Sequence, residues 1–109
     1  MAGKFFAVLN ARGPKWDLTK PMEQHEGWRA HADFMNALLA EGFIVLGGPL
    51  EGTRDVLLIV RAEDEAEVTA RLAPDVWMLN GFLQRRWIAP WTLRLGELAG
   101  PFGFAQGRP

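Results

Sequence analysis

Cysteine, serine and tyrosine are all missing from the 109 residues of this chain. Without cysteine there is no disulfide, no thiolate metal site and no thiol nucleophile. Without serine and tyrosine, serine-triad chemistry and redox sites built on a tyrosine hydroxyl are excluded too. An excess of charge of either sign is also lacking: twelve basic and thirteen acidic side chains leave a net charge of −1. The one pair of adjacent basic residues, Arg85-Arg86, is too little for phosphate neutralisation, so no nucleic-acid partner is expected. The glycines at 47, 48 and 52 match neither a phosphate loop nor a dinucleotide fingerprint. Long hydrophobic runs are absent as well. Phe5-Phe6-Ala7-Val8-Leu9 is shorter than a signal-peptide core, and nothing approaches a membrane span. A cytoplasmic protein with no membrane partner is the expectation.

What remains is an ordinary globular composition, 49% apolar and 23% charged. The length fits one domain, expected over 1–96, with a tail at 97–109 rich in glycine and proline. Residues 4–11 read as a strand, aromatic-rich and ended by Arg12-Gly13-Pro14. Thr19 and Pro21 give a helix-start signal, and helical periodicity runs from about Met22 to Glu41, closed by Gly42. Its apolar stripe is Trp28, His31, Phe34, Met35, Leu38 and Leu39. Phe43 to Leu46 and Arg54 to Arg61 read as further strands. Asp64 with Glu67 resembles a capping box opening a short helix to about Leu72. Val76 to Leu79 fits one more turn. Phe82 to Leu95 reads as a last strand interrupted at Pro90. This order, β-α-β-β-α-β, predicts an α+β domain of ferredoxin-like type, an antiparallel sheet with two helices on one face.

Such a sheet leaves its other face bare, yet Val56-Leu57-Leu58-Ile59-Val60 is apolar on both faces. A sheet with one face in water should alternate apolar with polar. At about 25 cal/mol per Å², exposing several such side chains forfeits several kcal/mol. A homodimer packed sheet face to sheet face is therefore predicted.

Two histidines, the carboxylates and three lysines are the remaining acid–base groups. His25 and His31 are six apart, which on a helix separates them by about 120°, unlike the i, i+4 pair of a helical zinc site. No metal site and no cofactor are expected. His31 falls within the apolar stripe. Desolvation lowers the basicity of an imidazole and a neighbouring carboxylate restores it, so a histidine placed there is either a tuned base or a core residue bonded to backbone. Asp75, in the apolar setting of Val76-Trp77-Met78-Leu79, fits either a charge partner for His31 or a plain cap of the turn. Arg85 and Arg86 fall on opposite faces of the last strand, one of them able to bind an anion in a pocket. Trp87 and Trp91 share the face of Arg85 by the period of two, offering an apolar wall for a ring. Asn10, near the end of the first strand, is a candidate hydrogen-bond donor to a small organic ligand.

Taken together, HADFMNALLAEGFIVLGGPLEG over 31–52, DEAE over 64–67, Pro74-Asp75-Val76-Trp77 and the closing Pro90-Trp91 resemble the YCII-related family. The likeness covers about residues 4–95. It implies a dimeric α/β barrel in which two ferredoxin-like sheets pack face to face, and an active-site pair on His31 and Asp75. One departure stands out: the family usually has Asp-Pro-aromatic where this chain has Asp75-Val76-Trp77. Related sequences include a dehydrochlorinase acting on a chlorinated hydroxyquinol, and muconolactone isomerases share the barrel. The implied chemistry is proton abstraction, elimination or isomerisation without a cofactor. Three functions follow: a lyase or isomerase using His31 and Asp75, with Asn10, Arg85 and Trp87 binding substrate; a non-catalytic dimeric module for a small ligand; and a cofactor-free monooxygenase, a class that also uses dimeric α/β barrels.

Overall fold

The computed structural model describes residues 3–96; the predicted tail at 97–109 lies outside them. Four strands, β1 (Lys4–Arg12), β2 (Ile44–Pro49), β3 (Asp55–Ala62) and β4 (Leu83–Pro90), form one antiparallel sheet in the order β2-β3-β1-β4. Between them run helices α1 (Trp28–Glu41) and α2 (Glu65–Leu72) and the single turn α3 (Val76–Leu79). This α+β arrangement is compatible with a ferredoxin-like fold.

Register assigns the sheet faces. Phe6, Val8 and Asn10 of β1 stand beside Val60, Leu58 and Val56 of β3. These side chains face the helices, where Phe6, Val8, Leu58 and Val60 close a core with Leu38 of α1 and Val68 and Leu72 of α2. A second cluster of Trp16, Trp77 and Leu83 sits where the β1–α1 loop and α3 meet the sheet. On the opposite face lie Phe5, Ala7 and Leu9 of β1, Leu57 and Ile59 of β3, and Leu46 of β2. That face is apolar but for Arg61, whose guanidinium lies over the Phe5 ring, and among the described residues no helix covers it.

Both main helices end as their residues dictate. Gly42 adopts φ 86° and its N–H returns to the Leu38 and Leu39 carbonyls, a conformation a side chain would strain. Asp64 caps α2 by accepting from the Glu67 N–H at 2.9 Å. Helix α1, however, begins at Trp28 and not near Met22. Met22–Gln24 makes a separate 3-10 turn, and Gly27 at φ 85° breaks the chain before the helix starts. His25 is therefore not on a helix with His31. It is buried in the loop, stacked on Trp16 with ring centroids 4.0 Å apart. Its Nδ1–H donates to the Pro21 carbonyl at 3.2 Å, and its Nε2 accepts from the Asp17 N–H at 3.0 Å.

The last strand also departs from expectation. Its ladder ends at Pro90, although the Trp91 N–H still donates to Phe5. Within it, Trp87 pairs with Leu9 and Arg85 with Asn10, so Arg86 is the extra residue of a β-bulge. The bulge resets the alternation. Arg85 points to the helix side, whereas Trp87 joins Leu9 on the bare face; Trp91, its ring centroid 6.5 Å from that of Phe5, follows. The expectation that Trp87 and Trp91 share a face with Arg85 does not hold.

Candidate functional site

A small chamber of about 50 Å³ lies between the helix-side face of the sheet, α1 and α3. Each wall comes from a different element. β1 and β4 contribute Asn10 and Arg85, α1 contributes His31 and Met35, α3 and its cap contribute Asp75, Trp77 and Met78, and the loop adds Trp16 and Met22.

His31 and Asp75, 44 residues apart, meet here. Nδ1 of His31 is 2.9 Å from each oxygen of the Asp75 carboxylate, and both residues are buried, at 8% and 3% exposure. A carboxylate accepts only, so Nδ1 carries the proton and donates. Nε2 then bears the free lone pair, and no group among the described residues bonds to it. Asp75 is at the same time the cap of α3, its Oδ1 accepting from the Trp77 N–H at 3.1 Å. The two roles that the residue pattern left as alternatives are filled by one carboxylate. The cap fixes the side chain, and the fixed side chain fixes the imidazole.

Trp77 is a site residue that the sequence reasoning passed over. Its ring stacks on His31 with centroids 4.0 Å apart and planes 16° from parallel, and it is 1% exposed. Its Nε1–H donates to the Glu26 carbonyl at 2.8 Å, locking the indole in place. The available signal was its position two residues after Asp75, inside the one-turn helix that Asp75 caps.

Two arginines line the chamber. Arg12 is committed elsewhere, to the carbonyls of Thr53 and Arg54 and over the ring of Trp16. Arg85 donates from Nε to Asn10 Oδ1 at 2.7 Å. Asn10 is 4% exposed, so this contact orients the guanidinium from a buried anchor. No carboxylate pairs with Arg85 among the described residues. Burial pushes its guanidinium below the usual arginine range, and a guanidinium nonetheless stays charged. A half-buried guanidinium with no carboxylate partner among the described residues is open to an anionic ligand. Trp87 does not line the chamber, being 46% exposed on the other side of the sheet.

Among the described residues no group of three or more His, Asp or Glu side chains is placed to hold a metal ion. No helix there is long and apolar enough to cross a membrane. The site and sheet define a class, an α+β domain with a buried His–Asp pair beneath an antiparallel sheet. No family model, curated protein or solved structure matches the chain.

Proposed function

We propose that this protein is a cofactor-independent lyase or isomerase that abstracts a proton from a small organic acid, with His31 as the base. The observation that carries this reading is the pairing of His31 Nδ1 with both Asp75 oxygens at 2.9 Å, which leaves Nε2 as the basic atom. In the reaction the substrate C–H bond breaks, its electron pair stays on carbon and the proton passes to Nε2. The imidazolium is stabilised by the Asp75 carboxylate, and the stacked Trp77 ring holds its plane. Arg85, oriented by Asn10, holds the anionic group where negative charge develops. In an elimination the electron pair expels a leaving group from the neighbouring carbon; in an isomerisation the proton returns to a different carbon.

The protein acts as a homodimer in which the bare apolar faces of two sheets cover one another, making a dimeric α/β barrel. The support is the set of half-buried Phe5, Ala7, Leu9 and Leu57 on one face without a covering helix. Resemblance to the YCII-related family supports the same assembly and the same pair. The non-catalytic alternative draws on the confinement of the imidazole, whose side chain is 11% exposed beneath Trp77.

The experiment is hydrogen exchange in D₂O, followed by proton NMR, over a panel of small cyclic and aromatic acids. Wild-type protein should exchange or convert at least one acid. His31→Ala should abolish this while circular dichroism and sedimentation remain those of the wild type. Exchange that persists in a folded His31→Ala protein overturns the assignment; ligands that bind and are never exchanged favour the binding module.

A further inference from the structure

The chamber around His31 and Arg85 is too small for any but the most compact organic acid. By the measure in which one water needs at least 10–15 Å³, about 50 Å³ holds roughly three or four waters, the room of a carboxylate and the carbon beside it. Ligand sites commonly run from about 300 to 1,000 Å³. The missing volume lies next door. A groove of about 350 Å³ opens between α1 and β2. It shares Met22, His31, Met35, Pro49, Val56 and Leu58 with the chamber, so the two adjoin at the imidazole.

Small residues stand in both walls of the groove. On β2 the helix-side residues are Ile44, Gly47 and Pro49, paired across to Val60, Leu58 and Val56. At Gly47 the Leu58 side chain already fills the place of a Cβ, which would lie 2.5 Å from its methyl, so backbone forms this part of the groove wall. On α1 the wall includes Ala32. Beyond Ala32 the wall continues to Leu39, which belongs to the apolar stripe of α1 by spacing yet is 49% exposed. Its counterpart in an ordinary two-layer core would be covered.

We infer that the ligand of this site is an amphipathic acid, its carboxylate seated at Arg85 in the chamber and its apolar body extended along the α1–β2 groove as far as Leu39. This rests on the anion-binding reading of Arg85 proposed above. The head is chosen by an uncompensated cation, the body by an adjoining, largely apolar trough in which Arg29 and Asn36 are the polar groups beside His31. A compact, polar acid fills the chamber only and forgoes the trough.

The test is calorimetric titration with butanoate, octanoate and octanamide as probes. Full burial of a methylene strengthens binding about fourfold. Four extra methylenes half shielded in an open groove should make octanoate on the order of fifteenfold tighter than butanoate. Octanamide, lacking the charge, should bind at least tenfold more weakly than octanoate. Leu39→Asp, at an exposed helical position, should collapse the octanoate-to-butanoate ratio to below about threefold. If the two acids bind equally and both outdo the amide, the anion reading stands and the groove assignment is overturned. If octanoate and octanamide bind alike and Leu39→Asp changes nothing, the chain is held elsewhere and both readings fall. Absence of binding by either acid removes the anion reading and this inference with it.

Discussion

Replacing Asp75 separates the two duties of its carboxylate. In Asp75→Ala the cap of α3 is lost, worth about 1 kcal/mol. The buried Nδ1–H of His31 also loses a charged acceptor, worth about 1.5–3 kcal/mol. The sum, roughly 2.5–4 kcal/mol, is a large part of the stability of a domain this size. Asp75→Asn behaves differently. Its amide oxygen can still accept from the Trp77 N–H, so the cap survives, and loss of a buried charge partly offsets the weaker bond to His31. Its NH₂, standing where Oδ2 was 2.9 Å from Nδ1, now meets the Nδ1–H donor to donor, and moving the imidazole proton to Nε2 relieves that conflict. Urea unfolding followed by tryptophan fluorescence should therefore find Asp75→Ala less stable than Asp75→Asn by about 1 kcal/mol or more. Long-range proton–nitrogen NMR in mildly alkaline buffer should find the proton on Nδ1 of both histidines in the wild type. In Asp75→Asn it should move to Nε2 of His31 alone, with His25, held by Pro21 and Asp17, as the internal control. Catalysis requires Nε2 to be free, so this variant should be folded and inactive. A His31 that keeps its Nδ1 proton in Asp75→Asn, or an Asp75→Ala protein within about 1 kcal/mol of wild type, refutes the coupling.

Leu57→Arg places a charge in the bare face and should convert a dimer to a monomer in sedimentation; a wild type that is monomeric at micromolar concentration defeats the sheet-to-sheet assembly. Gly27→Ala should lower stability in urea by about 1–2 kcal/mol, because φ is 85° and the added Cβ would lie 3.2 Å from the Trp77 indole nitrogen; equal stability would show that the break before α1 is not strained. Asp17 is held below the usual carboxylate range, first by the Thr19 hydroxyl and then by the Thr19 N–H. A depressed carboxyl stabilises the fold above its unfolded-state value and loses that effect as pH falls through the lower folded value. Thr19→Val should raise the Asp17 midpoint in a carbon-13 titration and narrow this window from below; an unmoved midpoint contradicts the assignment of cause.

Strand and helix types were legible because this chain keeps its local rules: an apolar run bounded by Arg12-Gly13-Pro14, a capping pair at Asp64 and Glu67, and a glycine after Glu41. The start of α1 was not legible. Met22 and the residues after it carry no strong helix breaker until Gly27, and what holds them off the helix is tertiary, the stack of His25 on Trp16. The face of Trp87 was misread because a bulge leaves no mark in alternation when the residue inserted, Arg86, is as polar as its neighbour. Burial of His31 followed from helical spacing alone. Its contact with Asp75 spans 44 residues, which no local pattern encodes; the choice between cap and partner was unreadable because the carboxylate is both.

The bulge at Arg86 has a consequence for how this strand can change. Ahead of it, β4 is in phase with the chamber; behind it, the same strand is in phase with the opposite surface. The cation and the exposed indole are neighbours in the chain and strangers in space, each free to vary without disturbing the other. Substituting Arg86 alters a solvent-facing side chain, but deleting it shifts the phase of everything on one side of the kink. Either the tryptophan is driven into the helix layer or the arginine is withdrawn from beneath α3. At this position length, more than identity, is what the fold protects.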